Sequence, residues 1–156
     1  ESCLTSEKRG LMPSPTHQWL LLWIARKIAF DGFTVGGYDG PTPQGWVWNH
    51  LPRPFEIAHV RPDLWGIDLA TGDLAVGEAK TSEDIDEAHT RKQLRVFAHL
   101  RLRRSGRQCR VYLAVPRSQA GRLDRVLIDL GLIRAPHVVR LYIPDCLLES
   151  CDDVCP

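Results

Sequence analysis

Long apolar runs are missing from this chain of 156 residues. The longest, Trp19 to Ala25, falls far short of the roughly 20 residues that a membrane-spanning helix needs, so that class is excluded. Net charge is almost absent too: 20 Lys and Arg against 19 Asp and Glu leave a formal +1. Bulk polycation behaviour is thereby excluded, although a local basic patch is not. Lysine is scarce, 4 against 16 arginines, so each lysine draws notice. Neither Gly-x-Gly-x-x-Gly nor a Walker pattern occurs, which leaves a nucleotide-cradling loop without support. There is no internal repeat. Glu1-Ser2-Cys3 opens the chain without an apolar signal stretch, so a cytoplasmic location is the expectation.

What is present reads as a folded chain. With 44% hydrophobic and 25% charged residues, wholesale disorder is excluded. The length suits one domain, which buries roughly two-thirds of the surface its unfolded chain exposes. Residues 1–16 read as a flexible leader, 17–145 as the domain and 146–156 as a cysteine-containing tail.

Leu20, Trp23, Ile24, Lys27 and Ile28 recur at three-four spacing and predict a helix over 17–30, capped by Thr16 and stopped by Asp31-Gly32. The glycines and prolines of 36–54 predict a long loop or frayed hairpin. Strands are expected at 55–60, 63–69 and 74–80, the last two joined as a hairpin through Ala70-Thr71-Gly72-Asp73. Ser82 is expected to cap a long helix to about Arg104, acidic in its first turn and basic at its end. A strand at 109–115, a helix at 119–130 and a strand at 138–143 complete the pattern. The implied class is α/β in the order αβββαβαβ, a mixed central sheet flanked by helices.

The chemistry is concentrated between Pro62-Asp63 and Glu78-Ala79-Lys80. Glu78 and Lys80 are two apart on a strand and leave the same face, and the hairpin returns them beside Asp63. Two carboxylates and an ammonium then converge at one sheet end. Carboxylate oxygens suit a hard Mg²⁺ or Mn²⁺ ion, which activates water and offsets phosphate charge. An acid-x-Lys triplet alone is cheap, since chance supplies about half of one at this composition, and an exposed hairpin pair is its plain explanation. The small Gly77 and Ala79 beside it suit a helix packed closely on the other face.

These residues, in this element order over about 17–143, resemble the PD-(D/E)XK nuclease superfamily, the restriction-endonuclease-like fold. The resemblance implies a magnesium-dependent deoxyribonuclease in which Asp63, Glu78 and the Ala79 carbonyl hold the metal and Lys80 is the catalytic lysine. Many members place a Glu on the first helix, which this chain lacks. His17 resembles the variant of resolvase-like members; Gln18 and Glu56 are the other candidates. A RecB-like subset adds Gln-x-x-x-Tyr on the following helix. Here Gln93 is kept and Phe97 replaces the Tyr.

From Arg91 to Arg110 the chain is basic without an acidic residue. Arg91, Arg95, Arg101, Arg103 and Arg104, with Arg61 near the motif, are candidates to contact DNA phosphates, although a solvated helix end explains many such residues equally well. Arg53 joins them by position, and Trp46, Trp48 and Trp65 are candidates to stack on bases. The expected partner is DNA, with a homodimer or a larger assembly to cut both strands. The alternative is an inactive nuclease-fold module that binds DNA or assembles with a larger complex. Free thiols are the default for the cysteines. An iron–sulfur or zinc site at Cys3, Cys146, Cys151 and Cys155 is a minor option, because their spacing is unusual.

Overall fold

The structure, a computed structural model, describes residues 14–40 and 51–148. The first helix, α1 (Pro15–Phe30), starts earlier than expected. Ser14, not Thr16, is its cap: the Ser14 side chain accepts from His17 N, and Pro15 occupies the first turn, where its missing N–H costs nothing. Next comes a strand that the sequence reading missed, β1 (Thr34–Tyr38). The hairpin is as expected, with β2 (Leu64–Ile67) and β3 (Leu74–Ala79) antiparallel and Asp68 Oδ1 accepting from Ala70 N and Thr71 N in the turn. Then follow α2 (Ala88–Ala98), β4 (Arg110–Pro116), a 3₁₀ turn at Arg117–Gln119, α3 (Ala120–Asp129) and β5 (Val138–Ile143).

The five strands lie in the order β1-β2-β3-β4-β5. The pairs β1–β2 and β2–β3 are antiparallel, while β3–β4 and β4–β5 are parallel. The result is a mixed sheet with a core on each face. Period-two alternation along β4 sends Tyr112 and Ala114 to the α1 side and Val111, Leu113 and Val115 to the α2–α3 side. On β3 the same alternation turns Val76, Glu78 and Lys80 toward α2 and leaves Ala75, Gly77 and Ala79 under α1.

That placement explains Gly77. A Cβ there would stand 2.6 Å from Ile24 Cγ2 and 3.0 Å from Leu64 Cγ, both in the closed core. Gly77→Val is therefore expected to cost about 3 kcal/mol by overpacking, read as a lower urea midpoint with an unchanged slope.

Three expectations need correction. The strand expected at 55–60 is a tight turn: Ile57 and Val60 exchange backbone hydrogen bonds across Ala58 and His59, both at positive φ. The strand takes its place at 34–38 because Gly36 and Gly37 are not breakers there. A Cβ on either would fall within 2.4 Å of the Trp65 indole, which lies across that backbone. The second helix does not begin at Ser82. Asp84 Oδ1 accepts from Thr81 N at 2.7 Å and Thr90 Oγ1 donates to Asp84 O, so turns occupy the acidic stretch and Glu87 becomes the cap. Nor does it reach Arg104. It stops at Ala98, and a small turn closes through Leu102 N to Arg107 O and Gly106 N to Leu102 O, with Gly106 at φ +70.

At the far end of α1, Asp31 accepts from Lys27 Nζ at 2.8 Å and from the Tyr112 hydroxyl at 2.7 Å. Desolvation alone would raise its carboxyl, but these two hydrogen bonds outweigh that and hold it below its ordinary value of 3.8. A lowered carboxyl stabilises the fold above its unfolded pKa and loses that contribution as pH falls through the folded value. Asp31→Asn should thus cost about 1 kcal/mol at pH 7 and almost nothing near pH 2, measured by urea unfolding at both.

Candidate active site

The β2–β3 register pairs Leu64 with Gly77, which places Asp63, just before β2, beside Glu78. Asp63 N donates to Glu78 Oε1 at 3.1 Å and to Gly77 O at 3.1 Å. Asp63 Oδ2 in turn accepts from Ala79 N at 2.8 Å. Two residues on, Lys80 Nζ lies 3.1 Å from Glu78 Oε2 and donates to Gln93 Oε1 at 2.6 Å. Gln93 comes from the inner side of α2, and its Nε2 donates to Arg61 O at 3.4 Å. His17, in the first turn of α1, reaches over the sheet end, with Nε2 3.2 Å from Asp63 Oδ2. Residues 46 apart in the chain thus meet. Of the sequence-predicted set, the structure brings together His17, Asp63, Glu78, Lys80 and Gln93.

The cluster is largely closed to water: Glu78 is 0% and Lys80 7% exposed. Burial, then the nearby Asp63 charge, pushes the Glu78 carboxyl well above its usual range, against the pull of Lys80. Burial acts to lower the Lys80 ammonium, but Glu78, Asp63 and Asp84 outweigh it, so Lys80 stays charged. Burial likewise works against a charged His17, and its contact with Asp63 reverses the balance and raises it. Tyr38 is buried on β1; desolvation and the Asp63 charge push its phenol up, so it stays protonated.

The donor set is that of a hard divalent cation: two carboxylates, with the Ala79 backbone carbonyl in the same stretch. Glu78 Oε2 is buried, 3.1 Å from its ion-pair partner Lys80 Nζ. A buried carboxylate oxygen in a closed site suits a cation donor. Among the described residues no group of three or more His, Cys, Asp or Glu is arranged around a metal-sized space, so any ion would draw on Asp63, Glu78 and backbone or water oxygens.

No protein-family model, curated protein or solved structure matches the chain.

Other candidates fall elsewhere. Glu56 faces outward, 3.7 Å from both His59 and Arg61, which leaves it in an exposed ion pair. Arg53 pairs with Asp39. Arg101, Arg103 and Arg104 lie in the turn after α2, at the hairpin end of β3, whose length separates them from Lys80 by about 20 Å. Trp65 packs on Phe55 and covers Gly36 and Gly37. Phe97 is fully buried in the core. Cys109 is buried and Cys146 exposed, both as free thiols. Trp46, Trp48, Cys3, Cys151 and Cys155 lie outside the described residues. Among the described residues no helix is long and apolar enough to cross a membrane. Sequence reasoning missed Tyr38, hidden in a glycine-rich stretch, and the site role of Asp84, which it assigned to a helix first turn.

Proposed function

We propose that this protein is a metal-dependent nuclease that hydrolyses phosphodiester bonds of DNA, with a fold of the restriction-endonuclease-like type. One observation carries the reading: Asp63, Glu78 and Lys80 converge at one end of the sheet, with His17 and Gln93 closing the cluster. The element order of helix, three strands, helix, strand supports it, being the order that the motif resemblance implies.

Asp63, Glu78 and the Ala79 carbonyl would hold Mg²⁺ or Mn²⁺. When bound, such an ion lowers the pKa of water and offsets charge on the phosphate. The remaining chemistry belongs to the chain. Lys80, fixed between Glu78 and Gln93, presents a pre-oriented ammonium to charge building on a phosphate oxygen. Gln93 links Lys80 to the Arg61 carbonyl and so ties α2 to the site. His17 contacts Asp63 Oδ2, which also accepts from Ala79 N, and has a titratable proton beside the reacting centre.

The second reading, a module of this fold that binds DNA or assembles with partners without cutting, is favoured by one feature. Asp63 Oδ2 is already engaged by both His17 and Ala79 N. Plasmid and single-stranded DNA incubated with Mg²⁺ or Mn²⁺ separate the two readings. Cleavage that Asp63→Ala and Lys80→Ala each abolish supports the nuclease. Cleavage surviving both substitutions rejects this site, and salt-sensitive binding without cleavage supports the module.

A further inference from the structure

The outward side of α2 runs into the arginine-rich turn behind it, and the chemistry above uses none of this strip. From Ala88 to Leu123 the chain carries no Asp or Glu. On α2, Thr90, Gln93, Leu94, Phe97 and Ala98 are buried. Lys92, Arg95 and His99, spaced by three and four, therefore share the exposed side. Beyond the helix, Arg103 and Arg104 are exposed and line a recess of about 310 Å³ with Thr71, Gly72 and Ser105.

The neighbouring arginines are already committed. Arg91 pairs with Asp129 at 3.2 Å, and Arg101 donates to Gly106 O at 2.9 Å. Arg107 lies 2.8 Å from Asp73 and donates to Thr71 O at 2.9 Å, which ties the turn to the β2–β3 hairpin and fixes the recess. Lys92, Arg95, Arg103 and Arg104 have no carboxylate in ion-pair range among the described residues. The nearest acidic stretch, Glu83 to Glu87, precedes α2, and its Asp86 is held by Arg122. The acidic stretch thus lies before the helix, while Arg103 and Arg104 lie beyond its other end.

We infer that Lys92, Arg95, Arg103 and Arg104 form a phosphate-backbone track leading from the Asp63–Glu78–Lys80 end of the sheet to the hairpin end. This rests on the reading that the ligand is DNA. The 11 residues of α2 span about 16 Å, over which one strand of B-form DNA presents about five phosphates. Lys92 and Arg95 lie within that length, and Arg103 and Arg104 continue the row of cations beyond it. Arginine forks match backbone phosphate oxygens, and such contacts carry no sequence information.

The test is fluorescence anisotropy with labelled duplex and single-stranded oligonucleotides, in EDTA, across a salt series. Lys92→Gln/Arg95→Gln and Arg103→Gln/Arg104→Gln are each expected to flatten the slope of log K against log salt by about 1.8 on duplex or about 1.4 on a single strand. Arg103→Lys/Arg104→Lys should keep the slope, which separates lost charge from lost folding. Slopes unchanged in both Gln pairs overturn the track. Binding of polyglutamate but not of oligonucleotide also overturns it, in favour of an acidic protein partner. Slopes that move while no DNA is ever cut keep the track and sink the nuclease reading. Cleavage with immobile slopes does the reverse.

Discussion

Asp63→Asn is expected to lower divalent-dependent DNA cleavage by about 10²–10³-fold while leaving the fold intact. The side chain has three tasks that Asn divides cleanly. Its Oδ2 accepts from Ala79 N at 2.8 Å, a bond that an amide oxygen still makes, so the β2–β3 corner stays closed. It also faces His17 Nε2 at 3.2 Å, and an amide keeps that contact without the charge. The third task, as a carboxylate donor to a hard cation, is lost outright. Single-turnover rates on a plasmid, with circular dichroism as the folding control, measure the effect. A drop below about tenfold with the fold intact would mean that Asp63 is a structural carboxylate only.

Lys80→Met should cost both activity and stability, and the stability loss should depend on pH. Glu78 is fully buried, and removing its cation strands a carboxylate in a low-dielectric site, a loss of about 3–5 kcal/mol. Glu78 can evade that cost by taking a proton, because burial and Asp63 already raise its pKa well above the usual range. A carboxyl whose folded pKa is raised is not penalised below its unfolded pKa, and the penalty grows as pH rises toward the folded value. Urea unfolding should therefore show a small deficit near pH 4 and the full deficit near pH 8. The double variant Glu78→Gln/Lys80→Met should recover most of the stability and none of the cleavage. A pH-independent deficit would show that the Lys80–Glu78 contact is not the source.

The hairpin and its three charged residues were legible in the sequence because the relevant signals are local. A four-residue turn fixes the return of the strand, and period-two alternation fixes the shared face of Glu78 and Lys80. The apolar runs of β4 and the periodicity of α3 were legible for the same reason. Glycine was where local reading failed. Gly36 and Gly37 resemble loop punctuation, yet they make room for an indole 28 residues further on, at Trp65, a demand that only the folded sheet reveals. A strand was expected at 55–60, but Pro52 and Pro54 lack ladder donors and Ala58 and His59 turn the chain back. Acidic residues 83–87 looked like a first helical turn because that composition suits either a helix start or Asx-type turns; the bond from Thr81 N to Asp84 decided between them. The sequence grouped the arginines only by their order along the chain. Chain direction along α2 carries half of them to the other end of the sheet.

The most direct test of the central claim is a Mn²⁺ soak of a crystal of this protein, with anomalous difference density as the readout. The account predicts one peak in contact with both Asp63 and Glu78, and His17 drawn back from Asp63 to admit it. A cluster that stays closed, with His17 still on Asp63 and no manganese between the two carboxylates at millimolar concentration, would contradict it.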